Sequence, residues 1–240
     1  MFGLIRICAA VMAVAWAGMV PAFAADDEDV KQLRETGECA SCDLNEADLM
    51  NADLQGADLN KANLRDADLK GANLTGSNLS RSNLSRNDLE KADLSGANLS
   101  RAMMSGVDLE KAVMKGAKLR RVDLRDGELD KAMLDGADFS EGDLRGTSFK
   151  RAELKGSSFE SSKLHGTNFE RANLQGANFV EAILKKTDFS GANLTGAEEL
   201  TQAQLNEACG NAETVLPDGV TIPTCQWGGI RPQSGVHMFF

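Results

Sequence analysis

Residues 52–76 read ADLQG ADLNK ANLRD ADLKG ANLTG, five units of five, and this stretch decides the fold. Working outward from Leu54 in steps of five, every position from Leu44 to Leu194 is Leu, Phe or Met, thirty-one in a row without an insertion. Two residues before each of these the side chain is small, as at Ala47, Ala52, Ala57, Ala62, Ala67 and Ala72 and again at Ala172, Ala177 and Ala182. Asn87, Val107 and Val122 are mild exceptions. A period of five matches neither the 3.6 of an α-helix nor the two of a strand. It fits a chain that turns a corner every five residues and points one large and one small side chain inward from each side of a prism. Asp or Asn just before the large residue suits such corners, because its side chain can accept nearby backbone N–H groups.

A second period counts the sides. Gly56, Gly76, Gly96, Gly116, Gly136, Gly156, Gly176 and Gly196 stand two residues after every fourth large residue, whereas the other three corner columns are mixed. Twenty residues therefore return the chain to the same edge, and the cross-section is a square. Glycine along one edge predicts positive φ or close backbone approach there. Phenylalanine points to the same square: from Phe139 to Leu194 the large residues alternate Phe and Leu, which predicts one interior column of Phe139, Phe159 and Phe179 facing another of Phe149, Phe169 and Phe189. With coils about 4.8 Å apart, nearly eight of them make an all-β rod, a quadrilateral parallel β-helix roughly 37 Å long.

The A-(D/N)-L-x-x units over residues 42–197 resemble those of the pentapeptide-repeat family. The resemblance implies a right-handed quadrilateral β-helix and adds a precedent, since some members mimic DNA and protect a type II topoisomerase.

A stacked rod needs its ends covered. Thr201 and Gln204 form a capping box with Leu200 and Leu205 at staple positions, which predicts a short α-helical cap over 202–209 stopped by Gly210 and followed by a turn at Pro217-Asp218-Gly219. Residues 25–41 would cap the other end, with Val30 and Leu33 as apolar contacts. Residues 198–225 form the C-terminal cap and its tethered loop, and 226–240 a flexible tail. Should one end stay uncovered, a homodimer could form through it.

The first 24 residues read as an export leader. Arg6 supplies the charge, Ile7 to Val20 the apolar stretch, too short to span a bilayer, and Ala22-Phe23-Ala24 the small residues for cleavage between Ala24 and Ala25. Export implies a periplasmic location, or secretion as the alternative. Losing Arg6 takes the formal net charge from −10 to −11, which disfavours nucleic acid and anionic membrane surfaces. Four cysteines remain for an oxidising compartment. The rod separates the two pairs too far for cross-pairing, so the candidate disulfides are Cys39 with Cys42 and Cys209 with Cys225. A Cys-x-x-Cys pair also serves redox and zinc sites, but neither a thioredoxin-like pattern nor a second ligand pair accompanies it.

No catalytic constellation is legible, and no metal or other cofactor is implied. His165 has Arg145 and Lys185 as column neighbours, a poor setting for a metal or a cationic imidazole, and Ser80, Ser85, Ser95 and Ser100 lack a base. One wall is distinctive: Asp48, Asp68, Asp88, Asp108 and Glu128 form an acidic column, Lys91, Lys111, Lys131, Arg151 and Arg171 a basic one, and Glu90, Glu110, Asp130, Lys150 and Glu170 run between them. Either the wall neutralises itself or it docks a protein that the sequence does not identify. The functional expectation is a non-enzymatic structural or interaction module of the cell envelope. The alternative is an acidic topoisomerase-protecting decoy, which export would place on the wrong side of the membrane.

Overall fold

A computed structural model describes residues 27–225. The expected leader, its cleavage point between Ala24 and Ala25, and the tail with Trp227 lie outside the described residues. Parallel bridges join residues twenty apart, from Glu38↔Asp58 through Asn178↔Glu198, one on each wall of each turn. They are isolated bridges rather than long strands, because each straight side lasts only a few residues before the next corner. All thirty-one large residues from Leu44 to Leu194 are buried. The Phe columns stack as their spacing predicts: Phe139 on Phe159 at 5.2 Å, Phe159 on Phe179 at 5.3 Å, Phe149 on Phe169 at 5.1 Å and Phe169 on Phe189 at 5.3 Å between ring centroids. The two columns meet edge to face, as in Phe159 with Phe169 at 5.4 Å, the geometry the ring quadrupoles favour.

The corners hold a result that the glycine edge alone does not suggest. Leu44 O accepts the N–H of Ala47, and the third residue of that four-residue turn, Glu46, has φ +59°. The same left-handed third turn residue recurs at every corner from Ser41 to Gly196, including Lys61, Arg81, Lys91, Arg101 and Lys131. This is the pattern of a type II turn. Non-glycine residues hold it at a cost on the order of 1 kcal/mol each, set against two backbone hydrogen bonds per corner. In Gly56 and its seven column mates φ runs from +63° to +69°, and a Cβ there would meet nothing within 4 Å. Backbone conformation, not close approach, is therefore the reason for glycine, and it leaves that edge bare of side chains.

The N-terminal segment is helical, which the sequence reading did not anticipate. Helix α1 spans Asp27–Thr36, with acids in its first turn and Arg34 in its last, matching the helix dipole. Gly37, at φ +71°, ends it and donates to Leu33 O at 2.9 Å. The helix lies against the first coil: Leu33 is buried, Asp29 Oδ2 accepts the Asp43 N–H at 2.7 Å, Arg34 Nη2 donates to Asp48 O at 3.1 Å, and Gly37 O accepts the Asp58 N–H at 2.9 Å. Where α1 stops short, Arg34, Met50, Ala52, Asp53 and Leu54 line a shallow basin.

At the other end α2 spans Gln202–Leu205, with the capping box of Thr201 and Gln204 formed and Leu205 fully buried. Gln204 Nε2 donates to Phe179 O at 2.8 Å and to Ala182 O at 3.1 Å. The expected helix over 202–209 is too long, because the open backbone of the last coil captures the rest of it. Lys186 N–H donates to Glu207 O, Cys209 N–H to Thr187 O, and Phe189 N–H to Cys209 O. The ladder thus continues through Asp188↔Cys209 and Asn193↔Val215. Gly210 is not the left-handed stop expected of it. It bridges Thr224, and a Cβ on it would sit 2.7 Å from Thr214 Oγ1 and 3.1 Å from Ile222 Cγ2. The turn at Pro217-Asp218-Gly219 has Gly219 at φ +82°. No helix among the described residues is long and apolar enough to cross a membrane.

The inward small column makes a stability prediction. Ala97 is fully buried, so Ala97→Leu is expected to over-pack the rod and cost about 1–3 kcal/mol. Ser100→Ala on the outer wall should stay within about 0.5 kcal/mol. Urea denaturation of the two variants checks this; equal midpoints would refute the inward assignment.

Candidate interaction surfaces

The acidic column turns out to serve the wall's own backbone. Oδ1 of Asp48, Asp68, Asp88 and Asp108 accepts the main-chain N–H two residues on, from Met50 at 3.2 Å, Lys70 at 3.0 Å, Glu90 at 2.9 Å and Glu110 at 2.9 Å. Asn and Asp do the same on the other walls, as Asn83 does for Ser85 at 3.1 Å, and side-chain amides also reach the coil below, as Asn73 Nδ2 does to Asp53 Oδ1 at 2.9 Å. These side chains act as corner fasteners.

The basic column pairs with the acids beside it. Lys91 Nζ lies 2.8 Å from Glu90 Oε1, Lys111 2.9 Å from Glu110 Oε1 and Lys131 2.9 Å from the same Glu110 oxygen, while Lys70 also pairs with Glu90. The Lys70 and Lys91 ammonium groups hold the Glu90 carboxyl down to about 2, and Lys131 and Lys111 lower that of Glu110. Glu90 and Glu110 are half-buried, but the lysine ends of the pairs are open to solvent, so the pairs add little to stability. Since Glu90's folded value is depressed, its pairing is complete above the ordinary carboxylate range and disappears as pH falls through about 2. Carboxyl NMR should therefore give Glu90 a midpoint near 2, rising in Lys70→Met; an ordinary midpoint in the wild type would contradict the pairing. Arg151 and Arg171, further along the same edge, engage no ion pair among the described residues.

The diagonally opposite edge carries a second basic column that the sequence reading passed over. Lys61, Arg81, Arg101 and Arg121 occupy the same corner on successive coils and are exposed. Among the described residues Lys61, Arg81 and Arg101 engage no ion pair, and Arg121 meets Glu141 at 2.6 Å. The flanking walls there present Asn78, Ser80, Asn98 and Ser100 on one side and Asn63, Asn83 and Met103 on the other. The signal was available at spacing twenty, but only the glycine column and the basic column from Lys91 to Arg171 stood out.

Models of pentapeptide repeats match residues 39–66, 62–101, 88–126 and 104–141, and one of a pentapeptide repeat region matches 134–208. The chain belongs to the pentapeptide-repeat family. Its members form right-handed quadrilateral β-helices. Among solved structures, the chain is similar to HetL, a pentapeptide repeat protein involved in heterocyst differentiation regulation in the cyanobacterium Nostoc sp. strain PCC 7120. The identity is 34% over 65% of this chain and 75% of that one, with a TM-score of 0.35. A pentapeptide repeat protein of the Arabidopsis thaliana thylakoid lumen shares 30% identity over 41% of this chain and 68% of its own, with a TM-score of 0.40. QnrB1, a plasmid-mediated fluoroquinolone resistance protein, shares 16% identity over 63% and 89% of the two chains, with a TM-score of 0.33. No curated protein matches.

In this pentapeptide-repeat rod both expected cysteine pairs stand at disulfide distance. Cys39 and Cys42 have Cα atoms 5.2 Å apart, and Cys209 and Cys225 4.7 Å. Cys39 is fully buried and Cys42 nearly so, which puts that pair out of reach of an attacking thiolate and argues against a redox role. Asp188 lies with Cys209 and Cys225 within 4.8 Å, but the disulfide consumes both sulfurs and leaves one carboxylate, too few ligands for a metal. His165 sits beside Arg145, whose guanidinium is tied to Asp143 by two hydrogen bonds of 2.7 Å.

Proposed function

We propose that this pentapeptide-repeat protein is a non-enzymatic structural and interaction module of the cell envelope, exported by residues 1–24. In this reading it is a rod of about eight coils, capped by α1 and by residues 198–225, that displays charged edges to a protein partner. The observation that carries the reading is the display itself. Each outward column repeats at the coil spacing on a rod whose corners are fixed by backbone hydrogen bonds, as from Lys91 N–H to Glu110 O at 3.0 Å. Such a surface holds its charged columns on a pre-ordered backbone, so binding costs side-chain but no backbone ordering. The two basic edges, through Arg151 and Arg171 and through Arg81 and Arg101, interrupt the negative surface that an acidic topoisomerase decoy would need, so the envelope reading is preferred.

Affinity capture from envelope extract tests this at rising salt, with wild type and with variants reversed to Glu at Arg151 and Arg171 or at Arg81 and Arg101. Solvent-exposed contacts should weaken once the Debye length falls below about 8 Å, near 0.15 M. At least one reversed variant should lose a protein that wild type retains at low salt. Identical capture by all three at every salt concentration would overturn the proposal.

A further inference from the structure

We infer that the edge formed by Lys61, Arg81, Arg101 and Arg121 is a docking ridge for an acidic α-helix of a partner protein. The inference rests on the display reading above and names the chemistry of one partner surface. The four side chains are exposed on successive coils, so their spacing along the edge is that of the coils, about 4.8 Å. The stacked Phe rings that report the same repeat inside lie 5.1 to 5.3 Å apart. An α-helix returns to the same face every 5.4 Å. Carboxylates at i, i+4, i+7 and i+11 would therefore drift from the four cations by less than about 2 Å over the ridge, within the reach of Arg and Lys side chains. An extended peptide repeats on one face only every 6.6–6.8 Å or so, and would lose register by about 6 Å over the same four cations.

The surroundings favour the same occupant. Lys61, Arg81 and Arg101 have no internal counter-ion among the described residues, unlike Lys91, Lys111 and Lys131 opposite. On the adjoining wall Arg65, Asn83, Ser85, Arg86, Met103 and Ser105 line a shallow basin of about 310 Å³. Met103 is 47% exposed there, an apolar contact for a residue flanking the acidic stripe of an amphipathic helix. An anionic membrane fits poorly, because the same edge continues into Glu141 and Glu181.

The test uses the oxidised mature chain and a labelled helical peptide of about 18 residues with Glu at i, i+4, i+7 and i+11, against an isomer with the same Glu residues scattered round the helix. Fluorescence anisotropy is read at low salt for wild type, for Arg81→Glu with Arg101→Glu, and for Lys91→Glu with Lys111→Glu. Glu already occupies left-handed corners at Glu46, Glu141 and Glu181, so the reversed variants fit the backbone, and circular dichroism checks that they fold. Wild type should bind the striped peptide at least about tenfold more tightly than the isomer, with binding lost in the Arg81/Arg101 variant and kept within about threefold in the Lys91/Lys111 variant. Equal affinity for the two peptides, an equal loss in both variants, or no binding of the striped peptide would overturn the inference. The display reading fails separately: it falls only if capture from envelope extract is the same for wild type and reversed variants.

Discussion

Phe159→Ala is expected to lower stability by about 3–5 kcal/mol, the largest effect of any single truncation in the rod. Phe159 is fully buried between Phe139 and Phe179 at 5.2 and 5.3 Å, and its edges meet Phe149 and Phe169 at 6.1 and 5.4 Å. Truncation removes four ring contacts at once and leaves a void that neighbouring coils, locked by their ladders, can fill only in part. Phe159→Leu should cost much less, because Leu79, Leu99 and Leu119 occupy the same column in earlier coils. Urea denaturation followed by circular dichroism measures both. Each repeat contacts mainly its neighbours, so the Ala variant should also broaden the transition as the C-terminal half loosens first. A loss below about 1 kcal/mol for Phe159→Ala would mean that the Phe columns are not the core of that half.

Replacing Cys209 and Cys225 together by alanine is expected to cost about 3 kcal/mol, since the bond closes a loop with a sequence separation of 16. The loss should be local as well. Cys209 donates to Thr187 O and accepts from Phe189 N–H, so freeing the loop unpins the strip that continues the ladder past the last regular coil. Amide exchange should speed up at Phe189 and Leu194 while Leu99 and Leu119 stay protected. The bond of Cys39 with Cys42 spans only three residues and should contribute less, about 2 kcal/mol in the same chain-entropy account. Unchanged exchange at Phe189 after reduction would show that the second disulfide does not hold the end.

The repeat region was legible because each inward position answers to a single requirement, a large or small apolar side chain at spacing five, and Leu44 to Leu194 meet it without exception. The corners were half legible. Gly56 and its column reported positive φ, but Arg81 or Lys91 adopts the same angle under the compulsion of the ladder, which sequence pattern does not register. Helix α1 was missed because only Val30 and Leu33 are apolar in it, too few to show a period. The last helix was read too long since Glu207 and Cys209 obey the open backbone of the final coil rather than their own helical tendency. On the surface, the Asp48-to-Asp108 column looked like a recognition feature and proved to fasten corners, a role any Asp or Asn can fill. The Lys61-to-Arg121 ridge needed the corner columns to be followed in space before the uncharged flanks of Arg81 and Arg101 could be seen.

The account turns on an exported, oxidised rod, because the compartment determines which partners its charged edges can meet and whether its cysteines can pair. Intact mass of the protein from an osmotic-shock fraction, taken without reduction, tests this most directly. The expected mass is that of a chain beginning at Ala25 and lighter by four hydrogens than its reduced form, with no thiol available to alkylation after denaturation. A chain recovered from the cytoplasm with Met1 retained and all five cysteines reactive, Cys8 included, would contradict it.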